Sequence, residues 1–178
     1  MVLTMQKNKP TVKDISILLD KIKSNYEIDS LDEHKSLQKL IGVNGRTIRR
    51  WKAGLFDDPN KKSVISFCEW GKLKLLADNV CVFDFDININ NIEMLNYVAA
   101  DLICNSVDFK GCSAEQLMQF VGKSSFTGLS RSELCSIFKW DVKKFSADIA
   151  NEKIRFTTVS MILLLCGVDK DKMFYLSE

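Results

Sequence analysis

Apolar residues recur every three or four positions through most of the chain, the spacing that places them on one face of a helix. The first such stripe predicts a helix over 12–25, and Thr11 is placed to cap its first turn. The same spacing predicts a helix over 61–78, another from about residue 91, and a short helix capped by Ser113. The first stripe consists of Val12, Ile15, Leu18, Leu19 and Ile22.

Residues 81–89 depart from this pattern, because apolar and polar positions alternate there. A period of two is typical of a strand with one buried face. The chain has no second run of this kind, and an isolated strand cannot satisfy its own backbone groups. Two interpretations stay open: the segment pairs with its copy in a second subunit, or it is an extended linker over a helical core. The alternating apolar residues are Cys81, Phe83, Phe85, Ile87 and Ile89.

A helix, a tight turn and a second helix are predicted between residues 37 and 54. Gly42 can take the left-handed backbone that a sharp turn needs. Val43 is the apolar residue inside the turn, and the side chain of Asn44 can cap the helix that follows. The first helix presents one apolar face, formed by Leu37, Leu40 and Ile41.

The second of these helices has two faces of different character. Ile48 and Trp51 are three positions apart and predict a buried face. We therefore expect Trp51 to lie in the core rather than to stack on a nucleic-acid base. The opposite, exposed side carries Arg46, Arg49 and Arg50.

This stretch resembles the helix-turn-helix of the phage repressor and Cro family, clearly over 32–78. The resemblance implies that the second helix enters the major groove of DNA. Family members usually have a small residue one position after that of Leu37, whereas this chain has Gln38, a larger side chain to fit near the helix crossing. The resemblance is carried by Leu37, Ile41, Gly42, Val43, Ile48, Trp51 and the run RTIRRW.

The residue types on the second helix suit DNA recognition. An arginine fork can bond O6 and N7 of guanine together, which distinguishes that base pair. We expect Asn44 and the free amides beside it to hold a phosphate, and Thr47 and Lys52 to add backbone contacts. Lys61 and Lys62, predicted at the entrance of the next helix, are candidates for further phosphate contacts. The predicted DNA-binding residues are Asn44, Arg46, Thr47, Arg49, Arg50, Lys52, Lys61 and Lys62.

Charge is distributed unevenly between the two halves of the chain. Residues 1–79 hold 15 basic and 10 acidic residues, a net +5, and residues 80–178 hold 10 and 13, a net −3. The basic half contains the arginine helix, and this distribution is typical of a phosphate-facing half followed by a half that does not bind phosphate. The alternative is that the arginines lie on a solvated surface and form weak pairs with Asp57, Asp58 or Glu33.

Residues 129–168 resemble a second, degenerate copy of the motif. Ser130 and Glu133 predict a capping box, and Lys139 replaces the turn glycine. The second helix of this copy has no arginine. It carries Asp148, whose carboxylate would repel a phosphate. Two roles stay open, weak DNA binding or a dimerisation or partner surface, and we favour the second. The charged residues are Lys143, Lys144 and Asp148, and the predicted buried face is Val142, Phe145 and Ile149.

The remaining composition argues against a metal site, a cofactor and an enzyme. Six cysteines occur without any Cys-x-x-Cys pair, and His34 is the only histidine, so zinc-ligand spacing is absent. We expect reduced cysteines packed in the core. No glycine-rich phosphate loop or nucleophile–base pair is recognisable. No apolar run is long enough to span a bilayer, and the polar first ten residues predict a cytoplasmic protein without a signal peptide.

Together these patterns predict a mainly α fold of two small helix-turn-helix-like domains. A DNA-binding domain over 1–79 is followed by a linker or dimerisation strand over 80–90 and a C-terminal helical domain over 91–178. We expect a sequence-specific transcriptional regulator that binds double-stranded DNA as a homodimer, with a protein partner for the C-terminal domain left open. The rival interpretation is an interaction module that uses the helix-turn-helix scaffold to bind a polymerase subunit, a repressor or a toxin without reading DNA.

Overall fold

The computed structural model describes residues 10–54, 65–80, 95 and 99–176. It divides into two compact units, Met1–Asp84 and Phe85–Glu178. The fold is mainly α, as predicted, and the described residues contain no strand. The alternating segment 81–89 lies outside the described residues. None of the described helices is long and apolar enough to cross a membrane.

The described part of the first unit is a small helical bundle with one core. Helix α1 packs against α3 and α4, and α2 packs against α3. Fully buried side chains from these helices meet in the centre, among them Ile15, Leu19, Leu37 and Leu73. Val12, predicted in the buried stripe, is instead 37% exposed, because it lies at the first position of its helix. The helices are α1 (Val12–Asn25), α2 (Glu33–Ile41), α3 (Gly45–Lys52) and α4 (Phe67–Asp78).

Capping residues set where these helices begin. The Thr11 side chain accepts from the Asp14 amide and the Asp14 carboxylate accepts from the Thr11 amide, so α1 begins where predicted. Helix α4, predicted from residue 61, begins only at Phe67, because Ser66 and Glu69 form another such capping box. The predicted start of this helix at residue 61 is therefore wrong. Lys61 and Lys62 themselves lie outside the described residues, and their phosphate contacts stay a prediction.

The second unit is built in a similar way. Ser130 forms the predicted capping box with Glu133, and Ser113, predicted as a cap, forms a second box with Gln116. Helices α5 and α6 both pack against α7. Val142 was predicted in a buried face and is 43% exposed, because it is the first residue of its helix and points away from the core. The helices are α5 (Ala114–Met118), α6 (Arg131–Phe138), α7 (Val142–Ala150), α8 (Phe156–Leu165) and a short 3-10 helix (Lys170–Lys172).

The two units contain the same kind of turn, made by different residues. Helices α2 and α3 are joined by residues 42–44, and α6 and α7 by residues 139–141. Gly42 has φ 70° and ψ 25°, and Lys139 has φ 55° and ψ 38°, so both adopt left-handed backbone. Lysine pays a steric cost in this conformation that glycine does not. The sequence-based prediction that Lys139 takes the place of the turn glycine is confirmed.

We expect Lys139→Gly to stabilise the protein by about 0.5–1 kcal/mol, because it relieves this steric cost. The midpoint of urea unfolding, followed by circular dichroism, measures the change. Ala147→Gly, at an exposed position within α7, is the matched control and should lose about 1 kcal/mol. A Lys139→Gly variant that loses stability as the control does would show that the turn imposes no strain on lysine.

Candidate nucleic-acid interface

The turn between α2 and α3 fixes the direction in which α3 leaves. The amide of Gly42 donates to the Gln38 carbonyl at 2.9 Å and closes α2 with a left-handed residue. Val43 is 7% exposed and anchors the turn in the core. Asn44 caps α3, as predicted, with its side-chain oxygen accepting from the Arg46 amide at 2.8 Å.

The inner face of α3 holds the helix against the rest of the unit. Ile48 and Trp51 are both completely buried, which confirms the predicted face. The indole nitrogen of Trp51 has no hydrogen-bond partner among the described residues. Trp51 is thus a core residue and is not accessible for stacking on a base.

The three arginines of α3 lie on the side away from this core. At about 100° per residue, Arg46, Arg49 and Arg50 span an arc of roughly 100°, centred opposite Ile48 and Trp51. Arg46 and Arg49 are exposed, and Arg50 is partly exposed. The helix therefore presents three guanidinium groups on one outward-facing surface, which we call the arginine face.

Within the described residues, no arginine of this face makes an ion pair or a side-chain hydrogen bond. Glu33, one of the acidic partners considered from the sequence, pairs with lysines instead. Asp57 and Asp58, the other two, lie outside the described residues. The guanidinium groups thus point outward without a described internal acid to neutralise them.

Lys52 has a different environment from the arginines. Its ammonium forms an ion pair with Glu33 at the start of α2, and Glu33 also lies 3.7 Å from the Lys23 ammonium. Burial favours a higher pKa for Glu33, but the hydrogen bond and charge of Lys52, with the charge of Lys23, outweigh it and hold the pKa below its ordinary value. This cluster joins α1, α2 and α3, so Lys52 has a structural role that the sequence did not predict.

The amides at the start of α3 are already hydrogen-bonded. The Gly45 amide donates to the side-chain oxygen of Gln38 at 3.0 Å, and the Arg46 amide donates to Asn44. The expectation of free amides beside Asn44 is therefore wrong, and a phosphate would have to displace a side chain to reach them. Gln38 is exposed and does not crowd the helix crossing; its amide instead ties α2 to α3.

A buried lysine binds the C-terminal end of α2, directly before the turn. Lys72 of α4 is 1% exposed, and its ammonium donates to the Ile41 carbonyl at the end of α2 at 3.0 Å. Burial lowers the pKa of Lys72 to about 8. A cation at a helix C-terminus is stabilising. Lys72 is not among the residues predicted from the sequence, although it lies four residues after Cys68 and four before Leu76, on one apolar face.

The corresponding surface of α7 lacks the arginine face. When the two helices are aligned on their left-handed turn residues, Gly42 and Lys139, the positions of Arg46, Arg49 and Arg50 correspond to those of Lys143, Ser146 and Ala147. Asp141 caps α7, accepting from the Lys144 amide at 2.7 Å. Asp148 is partly exposed. The second turn is further held by aromatic contacts, in which Trp140 lies 4.5 Å from Phe138 and 5.3 Å from Phe145 between ring centroids.

The described cysteines are mostly buried, whereas the histidine lies on the surface. Cys68, Cys112, Cys135 and Cys166 are buried and Cys104 is partly buried, all as free thiols. Burial raises the pKa of the Cys112 thiol to about 11 and that of Cys166 to about 12. His34 is exposed. No cluster of metal-ligating side chains occurs in the described part of the chain.

Comparisons with known protein families, with curated proteins and with solved structures find no match for this chain. The arginine face, the turn and the residues that support it are therefore the observations from which a function can be argued.

We expect Glu33→Gln to destabilise the protein by up to about 1 kcal/mol at pH 7, because it removes the carboxylate that joins Lys52 and Lys23. The folded-state pKa of Glu33 lies below its ordinary value of 4.5, so its contribution exists above that pH and is lost as the pH falls further. Urea unfolding at a series of pH values should show the difference between wild type and variant shrinking below about pH 4.5.

The matched control is Glu27→Gln, an exposed residue without an ion-pair partner among the described residues. Its stability difference from wild type should be small at every pH. A Glu33→Gln difference that stays constant down to pH 3 would contradict the role given to the Lys52–Glu33–Lys23 cluster.

Proposed function

We propose that α3 reads base pairs in the major groove of double-stranded DNA, and that the protein is a sequence-specific transcriptional regulator similar to the phage repressor and Cro family. The observation that supports this most directly is the arginine face. Three guanidinium groups share one outward surface of a helix whose opposite side is locked in the core. They have no acidic partner among the described residues, although a lysine of the same helix has one.

Arginine is suited to this task by its geometry. Its planar fork donates two parallel hydrogen bonds and matches O6 and N7 of guanine, which a lysine ammonium does not. The residues flanking the arginine face, Asn44 and Thr47, supply side-chain donors for phosphate oxygens. Lys52 can add a phosphate contact only by sharing or leaving Glu33. Lys61 and Lys62 remain candidates from the sequence alone.

The charge balance and the size of the reading surface suggest how the protein engages its site. The basic first half, at +5, attracts phosphates, whereas the second half carries −3. A single recognition helix covers only a few base pairs, so we expect a homodimer on a two-fold site, in the cytoplasm. The second helix-turn-helix, without arginines, fits a role in contacting a protein better than one in reading bases.

A second candidate function is an interaction module that does not read DNA. It is favoured by one observation, namely that α6 and α7 keep the same three-residue turn while the outer face of α7 has lost the arginines. The second unit thus has the helix-turn-helix geometry without arginines that could recognise bases. Under this alternative the arginine face binds an acidic protein surface.

Selection from a random pool of duplexes, followed by fluorescence anisotropy with the selected duplex, tests the proposal. Replacing Arg46, Arg49 and Arg50 by alanine should weaken specific binding by at least about 100-fold, since each base contact contributes about 1–3 kcal/mol. Replacing the same three residues by lysine should retain binding to unrelated DNA but lose the preference for the selected duplex. Binding by wild type should also weaken steeply with salt.

The matched control removes three exposed lysines of the second unit, Lys110, Lys153 and Lys172, and deletes the same charge. This variant should keep its preference for the selected duplex. If the wild type enriches no sequence, or if the control loses as much specificity as the arginine variant, DNA reading by α3 is refuted. Capture of an acidic protein that depends on the arginines would then support the interaction module.

A further inference from the structure

The outer face of α1 combines an exposed apolar residue with a regular arrangement of charges. Ile15, Leu18, Leu19 and Ile22 face the core, whereas Ile17 lies roughly opposite them and is 45% exposed. Single exposed apolar side chains are common on protein surfaces, so Ile17 becomes informative only through the charges that surround it. Charged residues lie about 50° to either side of it around the helix, with Lys13 and Asp20 on one flank and Asp14 and Lys21 on the other.

These charges are arranged so that the face complements itself. Within each flank the two residues are seven positions apart and opposite in sign, and the order of the signs is reversed between the flanks. When a second copy of α1 is placed antiparallel, with the two-fold axis beside Ile17, like charges never meet. Asp14 lies opposite Lys21 of the partner subunit, and Lys13 lies opposite Asp20 of the partner subunit. Each pairing occurs twice by symmetry.

We propose that α1 is a self-association surface, on which two copies of this chain pack α1 against α1 in antiparallel orientation around Ile17. The occupant is a second copy because the charge pattern is its own complement under a two-fold rotation. A partner of uniform charge would leave half of these groups opposed by like charges. This inference names the surface of the expected dimer, and it is tested without DNA.

The neighbouring helix adds one aromatic residue, Trp70, to this surface. A shallow groove between α1 and α4 is lined by Ile17, Leu18 and Trp70, and also by the charged residues Asp14, Lys21, Lys74 and Asp78. Trp70 is partly exposed, and the Lys74 ammonium lies 5.6 Å from its ring centroid. An antiparallel copy of Ile17 at this groove would cover apolar surface of both helices.

All four charged residues are exposed, although the Asp14 carboxylate already accepts from Thr11 in the capping box. Lys21 lies 2.5 Å from Asp78, yet its side chain is 51% exposed. Asp20 lies 2.7 Å from Lys23, yet its side chain is 65% exposed. Because exposed ion pairs contribute little energy, these charges set the orientation of the copy, and burial of Ile17 and Trp70 supplies the attraction.

The size of the surface sets the expected strength. A helix of 14 residues is about 21 Å long. Two such helices, with the adjoining groove, form an interface at or below the small end of specific interfaces, which is about 1,200 Å² in total. We therefore expect a weak, reversible dimer that forms as the chain concentration rises through the micromolar range.

Sedimentation velocity over a series of chain concentrations, with a charge-swap pair of variants, tests the proposal. Lys13→Asp and Asp20→Lys change exposed residues that avoid the Thr11 capping box and the groove. Each variant alone places like charges opposite each other across the two-fold axis, so its dimer dissociation constant should rise at least about 10-fold. An equimolar mixture of the two restores opposite charges, and it should associate at least as well as wild type. Ile17→Ala should weaken every one of these associations.

Unfolding of both charge variants is measured in parallel. Both should remain folded, and Asp20→Lys should cost at most about 1 kcal/mol, because it removes only an exposed ion pair with Lys23. A wild type that stays monomeric up to about 1 mM refutes the proposal. A dimer that none of the substitutions weakens also refutes it and assigns the interface to another part of the chain, such as residues 81–89. A mixture that associates no better than its two components refutes the antiparallel arrangement. None of these results bears on whether α3 reads DNA.

Discussion

The rotation of α3 about its own axis is set by two side chains, Ile48 and Trp51, which are completely buried. Because a helix is a rigid spacer, fixing these two positions also fixes where every other side chain of the helix points. The rest of the first unit maintains this arrangement. Gly42 permits the turn between α2 and α3, and Val43 anchors that turn in the core. The buried ammonium of Lys72 donates to the carbonyl of Ile41 at the end of α2. The arginine face is therefore a consequence of core packing, and its chemistry is held at a defined angle before any ligand arrives.

The second unit shows how far such a scaffold is independent of its outer surface. It repeats the three-residue turn and the capped second helix, with Lys139 in the left-handed position that glycine occupies in the first unit. The inner face keeps large apolar residues, Phe145 and Ile149. The outer face retains only a lysine where the first unit has its first arginine. The packing residues and the arginines that we propose to read bases thus lie on different faces of the same helix, and a resemblance in fold alone does not transfer a function.

Local features could be predicted from the sequence because their causes lie within a few residues. The helix caps at Thr11, Ser113 and Ser130 and the turn at Lys139 belong to this class. The start of α4 at Phe67 differs from the prediction although Ser66 and Glu69 have the capping-box spacing, because two lysines upstream resemble a helix entrance. Contacts between helices carried no such local signal. The Lys52–Glu33 pair and the Gln38–Gly45 hydrogen bond join residues 19 and 7 positions apart. Both depend on how the helices pack, so the sequence alone does not predict them.

The arginines themselves offer the most direct test that α3 contacts bases. The chain has five arginines, of which three lie on α3, and the others are Arg131 and Arg155 of the second unit. A nitrogen–proton correlation spectrum of the arginine Nε groups therefore contains few signals, which single substitutions assign. On titration with the duplex selected by the protein, the account predicts large shifts for Arg46, Arg49 and Arg50 and little change for the other two. Shifts confined to Arg131 and Arg155, or none at all on saturation, would contradict it.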